Sequence, residues 1–596
     1  MPRQRPWVSV LLFLYPMMFG THPAAALQPG ASPTGTATKA HPILDVLQGE
    51  LDYSMKELRA EDGTGPYYIG YSVYDQNTTI LSASLGAVVQ DQQDVERDLN
   101  IDLRVGSYEL DNTHQLRGGG DSEVRGSGNI QLALDDDESS IRHALWHNTD
   151  KIFRDAAKRL ERIRTDLKVK VEEEDKSNDF SREAPQVHIE PPAALSVDRA
   201  AWANRLRKLS AAAREYPLIY NSNITLGAFA GTRYMVTSEG TRLQTAEIRY
   251  RLTLSAGTKA DDGMDLSQFA DFNASSLPGL PGDAEIEAAF RGILEQVVAL
   301  RAAPLAEPHI GPAILRNRAS GVFFHEIFGH RIEGHRQKDV TEGQTFAKMI
   351  GEPVLPEFIS VYSDPTLPRL ADTDLRGHYK FDDEGVRASR VTLVENGVLK
   401  TFLMSRTPLE KVPNSNAHGR RQPGQAPVGR QSNLIVESNK QVPFPQLREL
   451  LIEECKRQGK PYGLLFEDIS GGFTTTTRRG PQSFKVLPLV VYRVYADGRP
   501  DELIRGVDIV GTPLTAFSKI SYTGDDVAVF NGSCGAESGW VPVSAASPSI
   551  LVSTIEIEKR TRDQSRPPIL PPPLPDTAGE TSAVKTQDAG SASRTE

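Results

Sequence analysis

Residues 223–257, NITLGAFAGTRYMVTSEGTRLQTAEIRYRLTLSAG, alternate apolar and polar side chains on both sides of Ser238-Glu239-Gly240. Period-two alternation rich in β-branched and aromatic residues predicts strands, and Ser-Glu-Gly between them predicts a tight turn, so this stretch reads as successive antiparallel strands. The same pattern occurs at YYIGYSVYDQNTTILSASLGAVVQ (67–90) and DLNIDLRVGSYEL (98–110). It returns after residue 358 in FISVYSDP, RVTLVENGVLKTFLMSR, SFKVLPLVVYRVYADGRPDELIRGVDIVG and SPSILVSTIEIEKR. Helical spacing of apolar residues marks 42–59, the charged run 139–169, 198–217 and 284–304. The polar run EEEDKSNDFSREAPQ (172–186) reads as a solvated connection.

The expected fold class is α+β in two domains: an N-terminal α/β-type domain with antiparallel strands, and a C-terminal antiparallel β-rich domain carrying one functional helix. A chain of 596 residues exceeds one ordinary core. The expected division is 1–26 a signal peptide, 27–42 a flexible linker, 43–305 the N-terminal domain with its charged helical insertion, 306–562 the C-terminal domain, and 563–596 a disordered Pro-rich tail. Two early arginines, a short apolar core and the small residues before Leu27 predict a cleaved export signal and a periplasmic or extracytoplasmic location. The body of the chain has no apolar run of membrane-spanning length. A net charge of −11 argues against nucleic acid as the main partner.

Within FFHEIFGHRIEGH (323–335), His325 and His330 are five residues apart with Glu326 after the first. On an ideal helix, positions five apart diverge by roughly 140°, against roughly 40° for the four-residue spacing of ordinary zinc helices. A π-bulge would bring the two imidazoles together, and Gly321 and Gly329 make distortion cheaper. A catalytic zinc needs a third protein ligand. Spacing leaves His335 and Cys534 both open for that place. Of the two cysteines, Cys455 sits in a helical pattern and Cys534 in the glycine-flanked FNGSCGAESGW; a disulfide between them is the competing reading.

Read in order, HEIFGHRIEGH, YKFDDEGVRASRVTLVENGVLKTFLMSR, HGRRQPGQAPVGRQSNL, FEDISGGF and NGSCGAESGWVPVS resemble the TldD/PmbA family of metallopeptidases over residues 310–560. The resemblance implies a zinc peptidase of the catalytic type acting on unfolded or extended polypeptide. It assigns His325, His330 and Cys534 as Zn2+ ligands and Glu326 as general base. It also implies a dimer, either of two copies or with a TldD/PmbA-like subunit lacking the motif. His335 departs from the family pattern, where an acidic residue is expected.

Other motifs carry two readings each. FDDEGV, with Asp382, Asp383 and Glu384, reads as a turn rather than a carboxylate site. Gly471 and Gly472 of SGGF suit either a turn or the close approach of a substrate backbone pairing as an added strand. His418, Arg420 and Arg421 read as a solvated loop or a carboxylate-binding one. A non-catalytic zinc-stabilised scaffold is the alternative function. No G-x-S-x-G supports a serine hydrolase.

Overall fold

The structure is a computed structural model that describes residues 39–116, 126–168, 175–478, 484–511, 516–560, 566–568 and 570. The expected signal peptide, most of the linker and most of the tail lie outside the described residues. From Ala40 onward the chain forms one compact unit of α+β architecture.

The N-terminal half is built on one large antiparallel sheet. Helix α1 (Ile43–Glu57) precedes the long hairpin β1 (Pro66–Ser84) and β2 (Ala87–Val105). Then come α2 (Glu138–Leu167), α3 (Arg199–Ser210), β3 (Asn221–Thr237), β4 (Arg242–Lys259), β5 (Asp265–Ala274) and α4 (Asp283–Ala302). The strands run in the order β2-β1-β3-β4-β5. The turn between β3 and β4 falls on Ser238-Glu239-Gly240, and Gly240 takes a φ of 99°, a conformation that costs glycine little. Helix α2 starts where Asp137 accepts a hydrogen bond from the Ser140 N–H at 2.7 Å. Its buried residues Ile141, Leu145, Phe153, Ala156, Leu160 and Ile163 form one stripe packed beside α1 and β2, while its charges face out.

The C-terminal half contains two further sheets around one short helix. It runs β6 (His309–Leu315), α5 (Asn317–Ile327), β7 (Ile359–Ser363), β8 (Val391–Glu395), β9 (Asn433–Ser438) and α6 (Phe444–Arg457). It continues with β10 (Tyr462–Thr474), β11 (Phe484–Tyr495), β12 (Val507–Gly511), β13 (Ile520–Gly524), β14 (Ala528–Ala536), β15 (Gly539–Ser547) and β16 (Ile550–Lys559). Strands β6, β10, β11, β12 and β16 close a ring, because β16 pairs with both β12 and β6. The second sheet runs β8-β7-β9-β15-β14 and ends on β14. Pairing is antiparallel, as expected, except for β6 with β10, β9 with β15 and two short additions, which are parallel. Phe323, Phe324 and Phe328 at the end of α5 pack with Phe484 and Phe517, placing the helix in the core between the two sheets. Gly321 makes this packing possible, since a Cβ there would lie 2.8 Å from the Ala545 carbonyl on β15.

Charges, not only apolar surface, fill the region where the two halves meet, and two readings are corrected there. The 172–186 run is not a solvated connection throughout: Phe180 is fully buried, with the guanidiniums of Arg104 and Arg406 stacked 3.6 and 3.9 Å from its ring centre. Arg406 also pairs with Glu239 at 2.7 Å. His418, Arg420 and Arg421 are buried rather than solvated; the Arg421 N–H donates to Asp383 and the Arg420 guanidinium to the Gln431 carbonyl. FDDEGV does turn, with Gly385 at a φ of 82°, but the turn is docked inside. Asp382 accepts from the Glu384, Val386 and Gly419 N–H groups, Glu384 from the Arg406 N–H, and Asp383 from the Arg233 guanidinium of β3.

Burial raises the pKa of Asp382 and of Glu384 well above the ordinary carboxylate range, with Asp383 adding to the first and Asp382 to the second. The folded state therefore holds protons that the unfolded chain has lost, so stability falls as pH rises from the ordinary carboxylate range to neutrality. Thermal unfolding of Glu384→Gln is expected to lose part of that slope relative to the wild type. Identical slopes in the two proteins would show that the pair does not hold its protons.

Candidate metal centre

Helix α5 ends sooner than a π-bulged zinc helix would require. It stops at Ile327, Phe328 caps it, and residues Gly329–Ile332 form a 3₁₀ turn, so His330 stands on the turn after the helix. The expected π-bulge is absent; a change of helix type resolves the five-residue spacing. Two side chains fix the stop. The buried Arg331 donates to the Glu326 and Ile327 carbonyls, capping the last helical turn. Gln431 fills the space beside Gly329, where any Cβ would lie 2.0 Å from its Oε1, and its Nε2 donates to the His325 carbonyl.

His325 and His330 consequently face each other with ring centres 5.1 Å apart and planes at 78°. Cys534 on β14 completes the group, its Sγ 3.4 Å from His330 Nε2. The donor atoms of His325, His330 and Cys534 all lie within 4.8 Å of one another, and all three residues are buried. Tetrahedral zinc places nitrogen and sulfur donors roughly 3.3–3.6 Å apart, given ordinary bond lengths. The donor set therefore fits zinc with modest closing. His335 is outside the group: it stands on the one-turn helix His335–Lys338 with its Nε2 3.5 Å from Glu537 Oε2. Cys455 lies in the apolar contact between α6 and the ring, and both cysteines are free, which removes the disulfide reading.

The electrostatics of the group are coupled. Burial pushes the Cys534 thiol up, but the adjacent His330 and His325 outweigh it and hold the thiol well below its usual range. Burial likewise disfavours a charged His330, yet Cys534 and Glu333 raise it well above the ordinary imidazole range. Glu326 is displaced upward, chiefly by burial; its Oε2 lies 3.9 Å from His330 Nε2. Strand β10 runs directly against it, since a Cβ on Gly472 would lie 2.8 Å from Glu326 Cγ, whereas Gly471 faces open space.

A supporting ring of charges was not assigned from the sequence. Glu333, fully buried, has Oε2 3.3 Å from His330 Nδ1 and 2.9 Å from Arg336 Nε, and Oε1 3.5 Å from Arg430 Nε. Arg430 donates to the Cys534 carbonyl at 2.8 Å, and Arg336 bridges to Glu537 just beyond it. The glutamate of RIEGH and the arginine of VGRQSN were visible as motif residues, but nothing in their spacing announced a contact between them. A cavity of about 1980 Å³ begins at His335 and Glu537 and extends between the halves, past Gln115, Lys151 and Lys348. The metal-type donors do not line it.

Residues 309–559 match the family model described as PmbA/TldA metallopeptidase C-terminal domain. A "Metalloprotease" of Archaeoglobus fulgidus is 31% identical over 260 residues, 44% of this chain and 55% of that one. The "Zinc metalloprotease TldD homolog" of Saccharolobus solfataricus is 25% identical over 251 residues, 41% of this chain and 51% of that one. These matches span about half the length of the relatives. The crystal structure of TldE from Thermococcus kodakarensis shares the fold, with a TM-score of 0.57 at 15% identity over 86% of this chain and all of that one. Residues 309–559 are thus similar to the metallopeptidase C-terminal domain of the PmbA/TldD family.

If Glu333 holds the tautomer and direction of His330, Glu333→Gln should lower zinc affinity by about 10- to 100-fold in chelator competition. Affinity equal to the wild type would show that the carboxylate does not orient the ligand.

Proposed function

We propose that the chain is a zinc-dependent peptidase hydrolysing peptide bonds in unfolded or extended polypeptide. The observation that carries this reading is the buried convergence of His325, His330 and Cys534 beside the Glu326 carboxylate. The two imidazoles and the thiolate would hold the ion, and among the described residues the group contributes three protein ligands, as a catalytic rather than a structural site does. Bound zinc supplies Lewis-acid polarisation of a carbonyl and a more acidic water. Glu326 acts as general base, taking the water's proton and returning it to the leaving amine; its burial, by raising its pKa, suits it to both directions. Gly471 leaves open space beside β10 for an extended substrate backbone, and among the described residues the outer edge of β14 pairs with no strand and offers main-chain pairing near Cys534.

Metal content and cleavage of an unstructured peptide mixture, measured on wild type and Glu326→Gln, test the mechanism. One zinc per chain in both is expected, with cleavage lost by about 100-fold or more in the variant. Undiminished cleavage by Glu326→Gln would remove the base; zinc without cleavage in either protein would favour the scaffold reading.

Export and dimerisation complete the proposal. The N-terminal pattern of residues 1–26 supports the first. Exposed aromatic surface near the centre supports the second: Phe473 follows Gly472, and Trp540 lies on the Cys534 hairpin. Native mass spectrometry of protein from the extracytoplasmic fraction is expected to show subunits beginning near Leu27 in a two-subunit particle. An intact Met1 would overturn export, and a fully active monomer would overturn dimerisation.

A further inference from the structure

Across the second sheet from the metal centre, three neighbouring arginines each keep an N–H with no acceptor among the described residues. Arg249 and Arg251 alternate along β4 with the core residues Tyr250 and Leu252, so both stand on the sheet face turned away from that core. The third, Arg376, is carried there by its backbone. Asp374 accepts from the Ser275 N–H just after β5, and the Arg376 N–H donates to Ser544 Oγ on β15. Asn273, two residues before Ser275, is the direct cross-strand partner of Arg251.

Each guanidinium keeps a buried N–H without a hydrogen-bond acceptor: Arg249 Nη1, Arg251 Nε and Arg376 Nη1. Among the described residues two carboxylates form ion pairs with them. Asp271 Oδ2 is 3.4 Å from Arg251 Nε, too poorly aligned for a hydrogen bond, and Glu247 Oε1 is 3.1 Å from Arg249 Nη2. Asp374 is engaged by Arg369. Buried donors left unpaired are costly, so three of them on neighbouring side chains call for an acceptor. Arg249 and Arg251 remain about a quarter and a third exposed, at 27% and 33%, which leaves a way in from solvent. Arg376 agrees in direction: burial first, then Arg251 and Arg249, lowers its pKa to about 10, as expected where positive charge outweighs negative.

We propose that Arg249, Arg251 and Arg376 form a binding site for a tetrahedral oxyanion of the phosphate class. Neighbouring guanidiniums carried by two different segments suit an acceptor with oxygens in several directions; a planar carboxylate matches a single guanidinium fork. The occupant would tie β4 and β5 to the back of the hairpin that presents Cys534.

The test is thermal unfolding of the zinc-loaded full chain with inorganic phosphate or with acetate at equal ionic strength. Phosphate is expected to raise the midpoint of the wild type by about 2 °C or more, and acetate to leave it unchanged. The rise should vanish in Arg376→Gln and in Arg249→Gln; the second variant, altered at a partly exposed side chain, keeps the test valid if the first does not fold. O-phosphoserine in place of phosphate separates the sources: protection by both compounds marks a site for an esterified phosphate, protection by phosphate alone a site for the free ion. No rise in the wild type, an equal rise in both variants, or an equal rise with acetate would each overturn the site.

Discussion

The carboxylate of Glu333 is the constraint on which the centre depends. It has no solvent, so its charge survives only through its partners: burial pushes its pKa up, but His330, Arg336 and Arg430 together hold it at about 2. Each partner reaches a different part of the site. His330 is on the turn after α5, Arg336 ties the one-turn helix to Glu537 on the β14–β15 hairpin, and Arg430 binds the Cys534 carbonyl and Ser538 on that same hairpin. One buried anion thereby couples the histidine segment to the cysteine segment, which stand some two hundred residues apart in the chain. Removing one partner of such a group costs about 3–5 kcal/mol, because the charge left behind has nowhere to go. The geometry of the donors is accordingly a property of the charge network before any ion arrives.

Glycine sets the other limit. Gly321 lets α5 sit against β15, Gly329 lets the turn pass Gln431, and Gly472 lets β10 pass Glu326; in each case a methyl group would lie under 3 Å from its neighbour. These are packing requirements, not turn requirements, so they escape a reading that treats glycine as punctuation. They explain how a motif with the wrong helical spacing still gathers its side chains. The helix need not be bent into register, because it can end early and the backbone can come close enough for the next turn to supply the second imidazole.

Much of the strand framework was legible because the alternation in β3 and β4 follows directly from one face meeting a core, and the intervening turn carries its glycine. Helices α1, α2 and α4 were legible for the same reason at a different period. The site was partly legible: His325, Glu326 and His330 lie in one short motif, and Cys534 came from resemblance rather than spacing. What could not be read was buried charge. Asp382, Glu384, Arg406, His418, Arg421 and the run around Phe180 all look like surface by composition, because a sequence shows the cost of burying a charge and not the distant partner that offsets it. Arg406 illustrates this, finding Glu239 and Phe180 far upstream.

The β14–β15 hairpin is where these threads meet. Residues alternate across it, so Cys534 and Val541 face α5 while Asn531 and Ser544 face the opposite way, toward residues 374–376. On the first face the hairpin is held by Arg430 and Arg336 through Glu333; on the second it is held by the segment carrying Arg376. A thiol on an edge strand would otherwise be free to drift with the strand, since edge strands have one side unpaired. Among the described residues no strand pairs with the outer edge of β14, so the strand can present Cys534 in a fixed place while its edge, the Cys534 carbonyl held by Arg430 excepted, stays open to main-chain pairing. Rigidity normal to the sheet and access along its edge are thus separate properties here, maintained by different residues.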